Sequence, residues 1–201
     1  MSAIQSICVY CASGPGNIRA FMDAAASFGR LLARNDIGLV YGGGSVGLMG
    51  ALAEAVLDSG GRVTGVIPEF LVNREHMLLR VQERIVTRDM HERKRVMFER
   101  ADAFVALPGG IGTLEELVEQ LTWAQLGRHR KPILILNSEG FWDPLRTLID
   151  HMRRLEFIRS DLSVRLLVAE RVEDILPTLL QEARSVSEAE KEMAPVVAER
   201  M

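Results

Sequence analysis

The sequence predicts an α/β domain: three layers, with a mostly parallel central sheet flanked by helices. Three observations predict it. Short apolar runs alternate with stretches of helical length along most of the chain, the pattern of strand–helix–strand units joined by right-handed crossovers. The central run Ala103 to Leu107 is apolar throughout, as in a strand covered on both faces. Two strands run into glycine-rich turns, Gly42 to Gly50 and Gly109 to Gly112, where helices begin.

The elements follow in order. Ser6 to Tyr10 is a short apolar strand, Cys11 to Asn17 a loop, and Ile18 to Arg34 a helix ending at Asn35-Asp36. Ile37 to Tyr41 is a second strand, and the glycine turn after it opens a helix to about Asp58. Gly60-Gly61 ends that helix as a C′ glycine does. Arg62 to Ile67 is a third strand, stopped by Pro68, and Glu69 to Leu79 is less regular. Gln82 to Thr87 is a fourth strand. Asp89 caps a helix from Met90 to about Arg100. The fifth strand, Ala103 to Leu107, is stopped by Pro108, and Thr113 opens the next helix. Pro132 to Leu136, a helix from about Asp143 to Leu155, a strand Leu166 to Ala169 and a helix Val172 to Arg184 complete the core.

The 201 residues are 48% apolar, enough for one substantial core. A single domain over residues 1–184 is expected, followed by a charged, alanine-rich tail over 185–201 to which no role is assigned. The net charge of −3 gives no basic field for nucleic acid. No apolar run approaches a membrane span, and the N-terminus lacks a basic segment before an apolar one, so a cytoplasmic protein is expected. Cys8 and Cys11 form a C-x-x-C spacing. On a strand, residues three apart point to opposite faces, so two buried thiols are expected rather than a disulfide. Two cysteines alone do not complete a zinc site, and no metal is expected.

Ligands of parallel sheets bind beyond the C-terminal strand ends. Three loops leave strands there: Ala12-Ser13-Gly14, Gly42-Gly43-Gly44 and Gly109 to Thr113. The last precedes a helix whose free N–H groups and positive dipole end suit a phosphate. Thr-Leu after Gly112 excludes a Walker A loop. Glu115 and Glu116 lie in the same first turn, and a carboxylate beside a phosphate cradle is unusual because the two repel. Thr113 and Glu116 also fit a capping box, the structural alternative for Glu116.

Met90, Arg93, Lys94 and Met97 share one helix face. Two cations on that stripe either snorkel outward or point at an anion, and the glycine loops favour the anion. His91 and Glu92 are read as solvent-facing. Gly42 to Gly47 fits G-x-G-x-x-G, with Glu69 at the distance of a ribose-binding acid, though little chain remains for a substrate region. Arg128 to Lys131 reads as a basic run solvating a helix end.

Together these residues resemble the LOG (Lonely Guy) family of phosphoribohydrolases. The family hallmark P-G-G-x-G-T-x-x-E stands as Pro108 to Glu116, accompanied by Met90-His-Glu-Arg-Lys94, Tyr41-Gly-Gly-Gly44 and Thr122-Trp-Ala-Gln-Leu126. The resemblance runs to about Arg184 and implies a Rossmann-like fold. It implies hydrolysis of the N-glycosidic bond of a cytokinin riboside 5′-monophosphate or AMP, giving free base and ribose 5-phosphate. It also implies a homodimer and no cofactor. By the same resemblance Arg93 and Glu116 are the catalytic pair, and Gly110, Ile111, Gly112 and Thr113 hold the phosphate. Ser13, Gly43, Glu75, Met90, Lys94, Gly109 and Thr122 complete the substrate contacts. Ala12 stands where the family's first loop commonly has glycine.

The chemistry is consistent with those residues. Losing a base from ribose passes through an oxocarbenium-like state, which a carboxylate stabilises while it activates water. Arg93 would pair with Glu116 and keep it ionised. Phe70, Met77 and Trp123 are candidates for an apolar base pocket. Some relatives carry a lysine-decarboxylase label, but the three lysines, Lys94, Lys131 and Lys191, sit in no recognisable pyridoxal-phosphate context. Two other readings stand beside the hydrolase: a nucleotide- or cofactor-binding carrier on the same fold, and a small NAD-dependent oxidoreductase resting on Gly42 to Gly47.

Overall fold

The computed structural model describes residues 4–72, 76–158 and 165–198, with side chains as far as Ser187. Among the described residues seven strands form one sheet: β1 (Ser6–Tyr10), β2 (Gly38–Tyr41), β3 (Val63–Pro68), β4 (Glu83–Thr87), β5 (Ala103–Ala106), β6 (Ile133–Leu136) and β7 (Leu166–Ala169). All pairings are parallel and the order is β4-β3-β2-β1-β5-β6-β7. The helices are α1 (Arg19–Arg34), α2 (Gly47–Asp58), α3 (Met90–Glu99), α4 (Ile111–Gln125), α5 (Asp143–Arg154) and α6 (Ile175–Ala198).

The central strands are buried on both faces: successive side chains point opposite ways and helices cover each face, while Arg84 and Val86 of the edge strand β4 are exposed. Ile7 and Val9 of β1, with Val105 of β5, face one core beneath α1, α2 and α6. Cys8, Tyr10 and Phe104 face the other, beneath α3, α4 and α5. Cys11 joins the first core, so the two free thiols lie on opposite faces, as the spacing predicts. Gly29 of α1 lets the backbone of α2 approach closely, since a Cβ there would overlap Leu52 O.

Several boundaries shift by a residue or a few from the sequence reading, and two of the shifts matter. α4 begins at Ile111 with Gly110 as N-cap, two residues before Thr113. Glycine is an accepted N-cap, and here it starts the helix without a side-chain bond. α6 passes beyond Arg184 to Ala198 without a break. Among the described residues no helix is long and apolar enough to cross a membrane.

The chain leaves β1 toward β4 on one side, then returns through α3 to β5 on the other. The topological switch point therefore lies between β1 and β5. Their outgoing loops are tied together there: Leu107 N–H donates to Tyr10 O at 2.9 Å and Ala12 N–H to Pro108 O at 3.2 Å.

Candidate active site

A cleft of about 480 Å³ opens at this switch point. The β1 loop supplies Cys11 to Gly14, α2 supplies Met49, α3 supplies Met90 and Arg93, and α4 supplies Gly110 to Thr113, Glu115 and Glu116; Leu71 closes one wall. Of the residues expected from sequence, Ser13, Met90, Arg93, Gly110, Ile111, Gly112, Thr113 and Glu116 thus meet in one place.

The anion end is built from backbone. With Gly110 as N-cap, the amides of Ile111, Gly112 and Thr113 form the first turn of α4 and have no intrahelical acceptor. Neither Gly110 nor Gly112 has a heavy atom within 4 Å of where a Cβ would be, so a ligand approaches unhindered. Gly109 plays a different part. A Cβ there would overlap the Thr113 side chain, so Gly109 lets Thr113 fold back and be buried against the turn.

The capping-box alternative for Glu116 does not form. Thr113 is the third residue of α4 and Glu116 the sixth, beyond reach of the helix end. Glu116 instead lies 8% exposed, with Oε1 3.9 Å from Nη2 of Arg93. Arg93 is 5% exposed and anchored by strand ends: Nε donates to Val66 O at 3.2 Å and Nη2 to Gly42 O at 3.3 Å. The Met90 sulfur is 3.7 Å from Nη1. A buried guanidinium on two carbonyls keeps a fixed plane, which suits a group that must orient a carboxylate.

The charge field of this pair reaches the sheet. Burial, and then the charge of Glu116, push the Cys11 thiol well above its ordinary range. Cys8 is pushed the same way by the same two causes. Cys11 therefore lines the cleft as a neutral thiol.

Four expected residues lie elsewhere. Lys94 does not line the cleft: it is buried, its ammonium on Glu115, which does line it, and on Glu119, at 2.5 Å and 2.9 Å. Burial opposes its charge, but the hydrogen bonds it donates to both carboxylates outweigh this and raise its pKa. Gly43 does not line the cleft; its carbonyl accepts Leu78 N–H at 3.0 Å. Gly109 lines a smaller neighbouring cavity with Phe21 and Phe141. Thr122 is exposed, donates to Val118 O at 2.8 Å, and borders an apolar groove between α4 and α5. Glu75 lies outside the described residues.

The second glycine loop is closed to a phosphate. The amides of Leu48 and Met49, in the first turn of α2, donate to Gly14 O at 3.4 Å and Ala12 O at 3.1 Å. A dinucleotide fingerprint needs that turn free, so the oxidoreductase reading loses its basis. The basic run is also not simply solvated. Arg128 lies over the Trp123 ring at 4.2 Å, His129 is buried, and Lys131 Nζ donates to Phe98 O at 2.7 Å near the end of α3. Trp123 packs edge-on to Phe98, and Met77 is paired with Gly44, so neither lines the cleft. Glu115, whose carboxylate the sequence places beside the cradle, lines the cleft as well, whereas Cys11, Met49 and Leu71 join it without having been expected. The spacing of Met49 after the glycine loop is the signal that points to it.

Comparison with known proteins adds the following. A family model described as "possible lysine decarboxylase" matches residues 49–179. A probable cytokinin riboside 5′-monophosphate phosphoribohydrolase of Oryza sativa subsp. japonica is 47% identical, over 90% of this chain and 82% of its own. A cytokinin riboside 5′-monophosphate phosphoribohydrolase of Arabidopsis thaliana is 48% identical, over 79% and 75%. Among solved structures, the molybdenum cofactor carrier protein of Chlamydomonas reinhardtii superposes with a TM-score of 0.63 at 21% identity, covering 90% of this chain and 99% of that one. A molybdenum cofactor binding protein of Rippkaea orientalis gives 0.64 at 20%, covering 88% and 96%. At such identity these two speak for the fold alone. The decarboxylase description finds no lysine for an imine in the cleft: Lys94 and Lys131 do not line it, and the side chain of Lys191 lies outside those described.

Proposed function

Since this chain belongs to the LOG family of cytokinin riboside 5′-monophosphate phosphoribohydrolases, we propose that it hydrolyses the N-glycosidic bond of such nucleotides, or of AMP, to free base and ribose 5-phosphate. The observation that carries the reading is the Arg93–Glu116 pair standing in the same cleft as the open first turn of α4. The amides of Ile111 to Thr113 would take the 5′-phosphate, far enough from the scissile bond to act as a remote anchor. The Glu116 carboxylate would face the ribose C1′. As the C1′–N bond breaks, its electron pair leaves with the base and positive charge grows on the sugar. Glu116 stabilises that charge and takes a proton from the attacking water. Water's hydroxyl ends on C1′ and its proton on the released base. Arg93 fixes the carboxylate's orientation. Met49, Leu71 and Met90 give the cleft an apolar wall against which a substituted adenine would rest.

A cytoplasmic homodimer is the proposed working form. The α4–α5 groove supports it: Val118, Leu148 and Met152 are exposed there, and Thr122 borders it. In a dimer closed over that face, Thr122 would act from the interface rather than within its own chain's cleft.

The test is product analysis across a panel of nucleoside 5′-monophosphates, including AMP and isopentenyladenosine monophosphate. Free base and ribose 5-phosphate are expected, with the unphosphorylated nucleosides poor substrates. Tight binding of a nucleotide without base release would overturn the hydrolase reading in favour of a carrier.

A further inference from the structure

The Arg93–Glu116 contact is long, 3.9 Å, yet both groups are buried and their relative placement matters for any chemistry between them. Arg93 is fixed to strand ends through Val66 O and Gly42 O. Glu116 moves with α4. What ties α4 to α3 beside this pair is the next residue on each helix. Lys94 follows Arg93, Glu115 precedes Glu116, and Lys94 Nζ bridges Glu115 and Glu119 at 2.5 Å and 2.9 Å.

We infer that Lys94 is a positioning residue: by bridging Glu115 and Glu119 it locks α4 against α3 and sets the separation of Arg93 and Glu116, without touching substrate. This rests on the hydrolase reading of the cleft. Three features argue for it. Lys94 is 7% exposed and does not line the cleft, so its ammonium is already committed. Glu115, Glu116 and Glu119 crowd three carboxylates into little more than a turn of α4, and Glu115 and Glu119 stand at the i,i+4 spacing where like charges repel. Arg93 faces Glu116, and Lys94 offsets the other two. Finally, a buried ion pair is worth most as a device of register, because removing one partner strands a charge.

The bridge separates two roles that sequence alone merges. A lysine contacting the substrate phosphate would govern affinity, whereas a lysine holding α4 governs the catalytic step. The test starts with the ammonium itself. The chain has three lysines, Lys94, Lys131 and Lys191, so the ¹⁵N-labelled ε-ammonium signals are few, and Lys94→Met identifies the one of interest. The Lys94 signal is expected to be protected from exchange in the free protein and unmoved by saturating ribose 5-phosphate. A large shift on adding ribose 5-phosphate would overturn the inference, whatever the enzyme turns over.

Kinetics supply the second arm, with wild-type base release as the control for the hydrolase reading itself. Lys94→Met is expected to lower kcat about tenfold while KM and inhibition by ribose 5-phosphate stay within about twofold. Lys94→Met with Glu119→Met, which removes the more buried of the two carboxylates left unpaired and leaves the half-exposed Glu115 to solvent, is expected to recover most of that loss. Glu119→Gln alone, the milder change, is expected to lower kcat about threefold at constant KM. A tenfold rise in KM or in the ribose 5-phosphate inhibition constant, with kcat unchanged, would return Lys94 to the substrate-contact role. If wild type releases no base, the hydrolase reading fails, and the ammonium experiment still decides the bridge.

Discussion

Gly42 and Arg93 share a space that admits no side chain at position 42. A Cβ there would overlap Nη2 of the guanidinium, and the Gly42 carbonyl accepts from that same nitrogen at 3.3 Å. The glycine that ends β2 is therefore part of the seat for the proposed catalytic arginine. Gly42→Ala is expected to push Arg93 off its carbonyls and toward Glu116. Because an error of about 1 Å at a reacting group costs on the order of a hundredfold, base release should fall by about that factor with a folded protein by circular dichroism. Wild-type turnover in Gly42→Ala would show that the seat is dispensable.

Glu116 carries the largest catalytic expectation. Glu116→Gln keeps shape and hydrogen bonding but removes the negative charge that the oxocarbenium-like state needs. A loss of about 10²–10⁴ in kcat is expected, the usual scale for a general base, with KM changing little. Arg93→Ala should lower kcat through the same step. Near-normal rates in both variants would remove the pair from the mechanism.

The glycines of the α4 turn divide into two kinds, and substitution separates them. Gly109→Ala collides with Thr113, so overpacking of about 1–3 kcal/mol is expected, seen as a lowered melting temperature. Gly112→Ala meets open space and should leave the melting temperature near wild type while raising KM, because the new methyl stands where a phosphate would approach. Equal melting temperatures for the two would contradict this division.

Much of this arrangement is legible in the sequence. The apolar runs set the strands, since a covered parallel strand leaves little choice of residue, and Asp89 marks the start of α3 by accepting Glu92 N–H at 2.8 Å. The start of α4 is not legible in the same way. Gly110 signals a loop as strongly as it serves as an N-cap, so Thr113, a better capping residue, attracts the boundary. The direction of Lys94 is also hidden: adjacent residues on a helix differ by about 100°, and only the placement of α4 reveals that Arg93 meets the cleft while Lys94 meets two glutamates. Thr122 and the groove beside it depend on how α5 packs, which no local motif encodes.

The α4–α5 face should respond to charge. Leu148 is 48% exposed within a mostly apolar groove that Thr122, Gln125 and Arg153 border, so a carboxylate there costs a monomer little and an apolar interface much. Leu148→Glu is expected to convert the proposed dimer to a monomer by light scattering, with base release lowered because Thr122 would lose its interface. A dimer unaffected by Leu148→Glu would place the contact on another face.

His129 gives the fold a pH dependence whose sign can be worked out. Its Nδ1 accepts Lys131 N–H at 3.1 Å, so Nε2 carries the proton and donates to Gln120 O at 3.2 Å. The ring packs beside Phe98 and Phe104. A second proton would have to enter at Nδ1 and displace the amide. Burial first, then the charges of Lys131 and Arg128, lower the His129 pKa, against the opposing hydrogen bond to the Gln120 carbonyl. The unfolded chain, with a pKa near about 6.5, then binds more protons than the native state at mildly acid pH. Stability from this group is complete above that value and is lost as pH falls through it toward the lower folded pKa. The urea midpoint of wild type should therefore fall between pH 7.5 and 5.5. His129→Gln should be less stable at pH 7.5 yet flatter with pH, so the two curves converge on acidification. Parallel curves would assign the acid sensitivity to other groups.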